Sequence, residues 1–422
     1  MLKMEQGYTP VENQKRINVL SIDGGGIRGI VPALILEEIE RRTSKPISKL
    51  FDVIAGTSTG GILSLALTKP MPSQPTLPQY SASDLVALYE HQGHRFFPKS
   101  RLRGLRNWVY GSKFPARGLS ALLHEQFGET KLSDALTDVT IAAYDIENRR
   151  GFFFKSHKAR QDELKGAYDF LMRDCARATS AAPTYFRPAE VQPLEDDEVW
   201  HLVDGGVCAN NPGLVGYTEA MRIHRPEAKR FGERNNICLV SIGTGELTDS
   251  LPIKQTKRWG KWQWLEPALE VMSDGPTHAT HYQLNELLPE WSYYRFQPYL
   301  EGASDSMEDV TQQNISKLKD VVKDWLFQEN DPARTHLKNS LDRQSKRTNR
   351  LNICCDQIVS NRYYLSIEDL AKSCQTSVQD VGRILEEMPD YRLLCAKSSR
   401  LKATGYSDET LERVKQALIT SA

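Results

Sequence analysis

Leu50-Phe51-Asp52-Val53-Ile54-Ala55-Gly56-Thr57-Ser58-Thr59-Gly60-Gly61-Ile62-Leu63-Ser64-Leu65-Ala66-Leu67-Thr68 is the stretch that decides the fold. It opens with a short apolar run, Phe51 to Ala55, of buried-strand character. Gly56-Thr57-Ser58-Thr59-Gly60 follows, and then an apolar, helix-favouring segment. Strand, sharp turn and helix with a serine at the apex form the pattern G-x-S-x-G, a nucleophile elbow. Gly56 and Gly60 remove Cβ clashes, so strand and helix can pack tightly against the turn. The Ser58 hydroxyl is left at a helix N-terminus, whose dipole favours developing negative charge. A serine between two glycines is common in turns, and the strand before it and the helix after it set this one apart.

Upstream, Ile17 to Ile22 predicts a strand, and Asp23-Gly24-Gly25-Gly26-Ile27-Arg28-Gly29 follows directly. Ile30 to Arg42 carries apolar residues at helical spacing with acids on the other face, an amphipathic helix. A glycine-rich loop between strand and helix presents backbone N–H groups to an anion, helped by the helix dipole. Two readings compete here. Gly24, Gly26 and Gly29 satisfy the dinucleotide fingerprint G-x-G-x-x-G. That site also wants an acid ending the second strand, whereas the strand at Phe51 to Ala55 ends in Gly-Thr-Ser, with Asp52 at its start. In the other reading Gly24, Gly25 and Gly26 are an oxyanion hole, and the elbow on the very next strand favours it. Arg28 either assists the anion or braces the loop.

Further on, Pro70, Pro72, Pro75 and Pro78 make residues 69–80 a surface loop, and a helix is expected from Ser83 to Gly93. From Arg95 to Leu119 the chain carries Arg95, Lys99, Arg101, Arg103, Arg106, Lys113 and Arg117 without an acid, interleaved with Phe96, Phe97, Trp108, Tyr110 and Phe114. Such a mixture suits a phospholipid surface, with Arg101, Arg103, Arg106 and Trp108 as candidate membrane or ligand contacts. It also suits a nucleotide or RNA partner, or a solvated loop whose aromatics join the core. Thr137 to Ile146 and Gly151 to Lys155 read as strands, and Tyr168 to Ala178 as a helix running into the small residues Thr179 to Pro183. Val199 to Val203 is a strand ending in Asp204-Gly205-Gly206, Asn210-Asn211-Pro212 starts a helix, and the strand Asn236 to Ile242 ends in Gly243-Thr244-Gly245. Turns after the strands of a parallel α/β sheet gather at its carboxyl edge, where sites form. In a sheet that already offers Ser58, Asp204 becomes the natural base.

The totals bound the reading. At 422 residues the chain holds two or three structural units, and its 54 Lys and Arg balance 54 Asp and Glu, so no global field marks a nucleic-acid binder. The seven cysteines are odd in number and form no C-x-x-C pair, so neither a disulfide framework nor a zinc site is expected and a reducing compartment fits. The N-terminus lacks the pattern of a secretory signal, and no apolar run approaches a membrane span. A cytoplasmic protein is expected, its contact with a bilayer peripheral, at the inner membrane surface when active.

Asp-Gly-Gly-Gly-Ile-Arg-Gly at 23–29, Gly-Thr-Ser-Thr-Gly at 56–60 and Asp-Gly-Gly at 204–206, in this order and at strand-to-turn junctions, make the chain resemble the patatin-like phospholipases over about residues 15 to 300. The resemblance implies an α/β three-layer sandwich with a mainly parallel central sheet. It implies a lipid acyl hydrolase acting on membrane phospholipids, with a Ser-Asp dyad and neither metal nor cofactor. Ser58 is then the nucleophile, Asp204 the base, and Gly24 to Gly26 with Arg28 the oxyanion loop, supported by Gly56, Gly60, Gly205 and Gly206. Elementary chemistry is compatible with this. A serine hydroxyl needs a base, and none of the nine histidines sits in a strand-end motif; strand alternation turns the nearest, His201, to the face opposite Asp204. Desolvation raises a carboxylate's pKa, so a buried Asp204 touching Ser58 can serve.

Residues 1–16 form a lead-in, 17–300 the catalytic domain, 301–360 a helical linker and 361–422 a small, mostly helical module. In the linker, Asp309 to Leu326 and Pro332 to Arg347 are expected to be helical. The final module has the layout of a helix-turn-helix or winged helix, with Ser366 as an N-cap. Its recognition-helix candidate, Ser377 to Arg383, is not basic, so DNA is not an expected partner and a regulatory or dimerising use is. Because some bacterial patatin-like enzymes act in antiviral signalling, the resemblance extends to a hypothesis: a cyclic-nucleotide activator, and a homo-oligomer. The rival readings are a nucleotide-binding protein using the glycine-rich loop and a non-catalytic signalling scaffold.

Overall fold

A computed structural model describes residues 16–98, 112–161, 167–223, 237–246, 256–260, 263–288 and 292–327, and beyond them Leu351, Cys354, Cys355, Ile358 and Val359. The strands are β1 (Ile17–Ile22), β2 (Val53–Thr57), β3 (Pro70–Met71), β4 (Gln74–Pro78), β5 (Asp138–Asp145), β6 (Arg150–Lys155), β7 (Ala189–Val191), β8 (Trp200–Asp204), β9 (Ile237–Ile242) and β10 (Tyr293–Phe296). The principal helices are α1 (Ile30–Thr43), α2 (Thr59–Thr68), α3 (Ala82–Phe96), α4 (Ala116–Phe127), α5 (Met172–Thr179), α6 (Gly213–Ile223), α7 (Leu265–Leu287) and α8 (Gln312–Phe327).

One eight-stranded sheet runs in the order β10-β9-β1-β2-β5-β8-β7, with β6 also paired to β5. β10, β9, β1, β2 and β5 are parallel, whereas β6, β7 and β8 join antiparallel. The two-residue period of a strand divides the core between the two faces. Leu20, Ile22, Cys238, Val240 and Ile242 point into the larger cluster with α1, α2, α3, α5 and α8. Ile17, Val19, Ile237 and Leu239 point into a second cluster with α6 and the end of α7. Helix, sheet and helix make three layers, the α/β sandwich expected.

Local chemistry accounts for the elements. β1 and β9 are buried along their whole length, as interior parallel strands are. α2 is apolar on every side and every one of its residues is buried. A capping box, Ser81 with Asp84, opens α3. Residues 69–80, expected as loop, instead hold the short hairpin β3–β4; its prolines are tolerated because it is an exposed two-stranded ribbon with free edges. α8 also departs from expectation. Ile315, Leu318, Val322 and Trp325 are buried in the main core, so the described part of the expected linker packs with the sheet. The helix expected at 332–347 and the C-terminal module at 361–422 lie outside the described residues.

The basic-aromatic stretch resolves in part. Phe96, Phe97 and Phe114 are buried in the core, Arg95 pairs with Glu125 at 2.7 Å, and Lys113 pairs with Glu308 at 2.8 Å. These residues follow the reading in which the aromatics join the core. Arg101, Arg103, Arg106 and Trp108, the candidate membrane contacts, lie outside the described residues.

Candidate active site

The register of β5 brings Ser58 and Asp204 together. β2 pairs with the first half of β5, ending at Thr57↔Ala142, and β8 pairs with the second half, starting at Ala143↔Asp204. β6 covers Thr140 to Asp145 from the other side, so β2 and β8 share one edge of β5. β2 runs parallel to β5 and β8 antiparallel, so the carboxyl ends of the two strands meet head to head at adjacent positions. β8 is thus one of the antiparallel members of a mainly parallel sheet, and its carboxyl end still reaches the site.

Ser58 has φ 54° and ψ −121°, a left-handed conformation rare for a residue with a side chain and typical of a strained elbow. Its N–H donates to Thr179 Oγ1 at 2.7 Å, and the Thr179 hydroxyl donates in turn to the Ala142 carbonyl at 2.6 Å. Strain of about 1–3 kcal/mol persists only where neighbours over-determine the geometry. Gly56 and Gly60 allow the close approach: a Cβ on Gly60 would strike the Ile22 carbonyl, and one on Gly56 would strike the Gly60 carbonyl.

Asp204 is 5% exposed. Its carboxyl accepts the Gly206 N–H at 2.7 Å and lies beside the Ser58 side chain, which lines the same cavity. Burial pushes its pKa up to about 6, against the pull of the neighbouring Ser58 hydroxyl and the Gly206 N–H. Gly205 lies against the Ala142 carbonyl with no room for a Cβ. His201 stands away from the pair, its Nδ1 3.1 Å from Glu147.

The glycine-rich loop starts from a buried ion pair, Asp23 with Arg295 of β10 at 2.5 Å, and Arg295 also donates to Ser241 at 2.8 Å. The Gly24 N–H donates to the Asn210 carbonyl at 3.1 Å, and the Gly24 carbonyl accepts from Thr244 Oγ1 at 2.9 Å. Ile27 donates to the Met307 carbonyl and Arg28 to the Gly25 carbonyl. Of the loop amides, those of Gly25 and Gly26 make no hydrogen bond among the described residues, and both glycines line the cavity beside Ser58. Gly24 is thus placed differently from the expectation, its donor already engaged. Arg28 also differs. Its side chain is buried, its Nε lies 3.5 Å from the Gly25 carbonyl, and it does not line the cavity. Burial lowers its pKa, opposed by the charges of Asp274, Glu270 and Asp305. Bracing is the role this position allows. With Gly24, Ile27 and Arg28 amides all engaged internally, the loop offers little cradle for a dinucleotide's phosphates.

Above Ser58 and Asp204 opens a cavity of about 940 Å³, its mouth included. Ile62, Phe96, Phe97, Leu119 and Phe186 give it an apolar wall, and Met272 and Met307 contribute to its lining. Among the described residues no helix is long and apolar enough to cross a membrane. Sequence reasoning missed Thr179, Asn210 and Thr244 as the groups that fix elbow and loop. The only signal was their position, polar side chains inside the small-residue and strand-end turns already singled out.

Comparison with known proteins agrees with this architecture. The family described as patatin-like phospholipase matches residues 20–215. The chain belongs to that family, a family of lipid acyl hydrolases. Patatin-like protein 2 of Oryza sativa subsp. indica is 33% identical over 341 residues, 73% of this chain and 83% of the relative. Patatin-T5 of Solanum tuberosum is 32% identical over 334 residues, 74% and 83% of the two chains. A third relative, 32% identical over 333 residues covering 74% and 86%, bears the name Probable inactive patatin-3-Kuras 1, also of Solanum tuberosum. Family membership alone therefore leaves catalysis to be argued from the side chains.

Proposed function

We propose that the protein hydrolyses fatty-acyl esters of membrane phospholipids through an acyl-enzyme on Ser58. The observation that carries this is the juxtaposition of Ser58, held in a strained elbow, with the buried Asp204, where the carboxyl ends of β2 and β8 meet beneath an apolar cavity. In the first half-reaction Ser58 Oγ bonds to the acyl carbonyl carbon as its proton passes to Asp204. Negative charge develops on the carbonyl oxygen, where the free amides of Gly25 and Gly26 serve as donors, each worth about 3–4 kcal/mol in such a role. The ester C–O bond then breaks, and the departing lysophospholipid oxygen takes the proton from Asp204. In the second half, water gives a proton to Asp204 and bonds to the acyl carbon. Ser58 leaves with that proton, and the fatty acid is released. A carboxylate with a pKa of about 6 is ionised at neutral pH and more basic than an ordinary aspartate.

Fatty-acid release from phosphatidylcholine vesicles by the wild type, Ser58→Ala and Asp204→Asn proteins tests the reading. Both variants are expected to lose at least about a thousandfold in rate; release that survives Ser58→Ala overturns it. The antiviral extension and its cyclic-nucleotide activator rest on segments largely outside the described residues. Titration of a panel of cyclic nucleotides against activity and oligomer size tests that extension separately.

A further inference from the structure

One face of α7 differs from the rest of the surface. Among the described residues eleven large hydrophobic side chains are exposed, and five of them lie on this helix or at its N-cap. They are Trp264 at 38%, Val271 at 50%, Met272 at 53%, Tyr282 at 67% and Leu287 at 49% exposure. At 3.6 residues per turn, Trp264, Val271 and Tyr282 fall within about 20° of one line, a stripe roughly 27 Å long. The opposite side holds the helix to the protein: Leu284 is buried in the second core cluster and Thr277 accepts from Asn210 at 3.1 Å.

Three observations say what covers this stripe. Met272, which follows Val271, is both exposed and part of the cavity lining, so the stripe adjoins the rim above Ser58. Trp259 packs edge-on against Trp264, ring centroids 5.2 Å apart, at the N-terminal end of the stripe. Lys257 and Arg258, both exposed, stand next to that aromatic pair. Paired indoles sit well at headgroup depth, aliphatic side chains at the acyl boundary, and flanking cations on lipid phosphates.

We infer that this face is where the protein docks on a phospholipid bilayer, with Trp259 and Trp264 among the headgroups and Lys257 and Arg258 on the phosphates. Val271 and Met272 then meet the acyl boundary at the cavity mouth, and a lipid chain passes along Met272 toward Ser58 without crossing water. The inference takes its substrate from the proposed phospholipid hydrolysis, but its test does not depend on turnover.

Full-length Ser58→Ala protein is floated with vesicles of phosphatidylcholine alone or in equimolar mixture with phosphatidylglycerol. Combining Trp264→Ser, Val271→Ser and Tyr282→Ser is expected to weaken binding to both by more than about tenfold. Lys257→Gln with Arg258→Gln is expected to weaken binding to the anionic vesicles alone, about fivefold per cation at low salt. With Ser58 intact, the triple variant should cleave a soluble short-chain ester at the wild-type rate, showing that the fold and site survive. Undiminished vesicle binding by the triple variant overturns the docking surface. It is equally overturned if the substitutions abolish self-association or release residues 361–422 to protease while vesicle binding stays unchanged. Soluble-ester hydrolysis that persists in Ser58→Ala sinks the proposed chemistry instead and leaves the vesicle result standing.

Discussion

At Asp204 burial and catalysis pull the same way, and folding pulls the other. Raising a carboxyl pKa from 3.8 to about 6 disfavours its charged form in the folded state by on the order of 3 kcal/mol. The sign follows from where the proton binds more tightly. The folded protein holds it better, so Asp204 favours folding below about pH 4, and that contribution is lost as pH rises through about 6. Asp204→Asn should therefore raise the urea midpoint at pH 8 and lose the advantage at pH 4; an equal gain at both pH values contradicts the assignment. The same proton should govern turnover, with kcat/KM falling tenfold per pH unit below about pH 6. Thr179 is the residue-scale control. Thr179→Val leaves the Ser58 N–H and the Ala142 carbonyl without partners, a loss of about 1–3 kcal/mol for each buried group. Thr179→Ser should restore both stability and kcat, and failure to do so would mean that the methyl group, not the hydroxyl, matters.

Among the elements, the elbow was legible because its signals are local. An apolar strand, two glycines and an apolar helix lie within nineteen consecutive residues. The glycines have the steric role expected of them, and Gly60→Ala should cost about 1–3 kcal/mol because a backbone carbonyl, Ile22, stands where the methyl would go. A melting temperature unchanged by that substitution would show that β1 and α2 can separate. The direction of β8 was not legible. A short apolar strand ending in Asp-Gly-Gly reads the same whether it runs parallel or antiparallel to its neighbour. Only pairing with β5 sets it head to head with β2. The glycine-rich loop was read in outline as the turn from β1 to α1, but which of its amides remain free depends on Asn210, Thr244 and Met307, each remote in sequence from the loop.

Across the whole molecule, the buried pair Asp23–Arg295 ties the start of the glycine loop to β10, across β9. Removing one partner strands a buried charge, so Arg295→Met should cost about 3–5 kcal/mol at neutral pH. The double variant with Asp23→Leu should recover much of it in urea unfolding. If the double variant is as unstable as the single one, the pair's charge is not what matters. α8, expected in a linker, packs on α1 and joins the main core, which places residues 312–327 against the same sheet as the site. The outer face of α7 belongs to this scale too, since its reading needs the cavity rim beside it as well as its own residues.

By itself the sequence determined that buried strands end in glycine-rich turns carrying Ser58, Asp204 and the run Gly24 to Gly26, because strand period, glycine and elbow are short-range patterns. The tertiary structure decided which turns meet, which loop amides stay free, how far the Asp204 pKa rises and which face of α7 adjoins the cavity. Each of these depends on contacts between residues far apart along the chain, and burial and register arise only when the sheet is assembled.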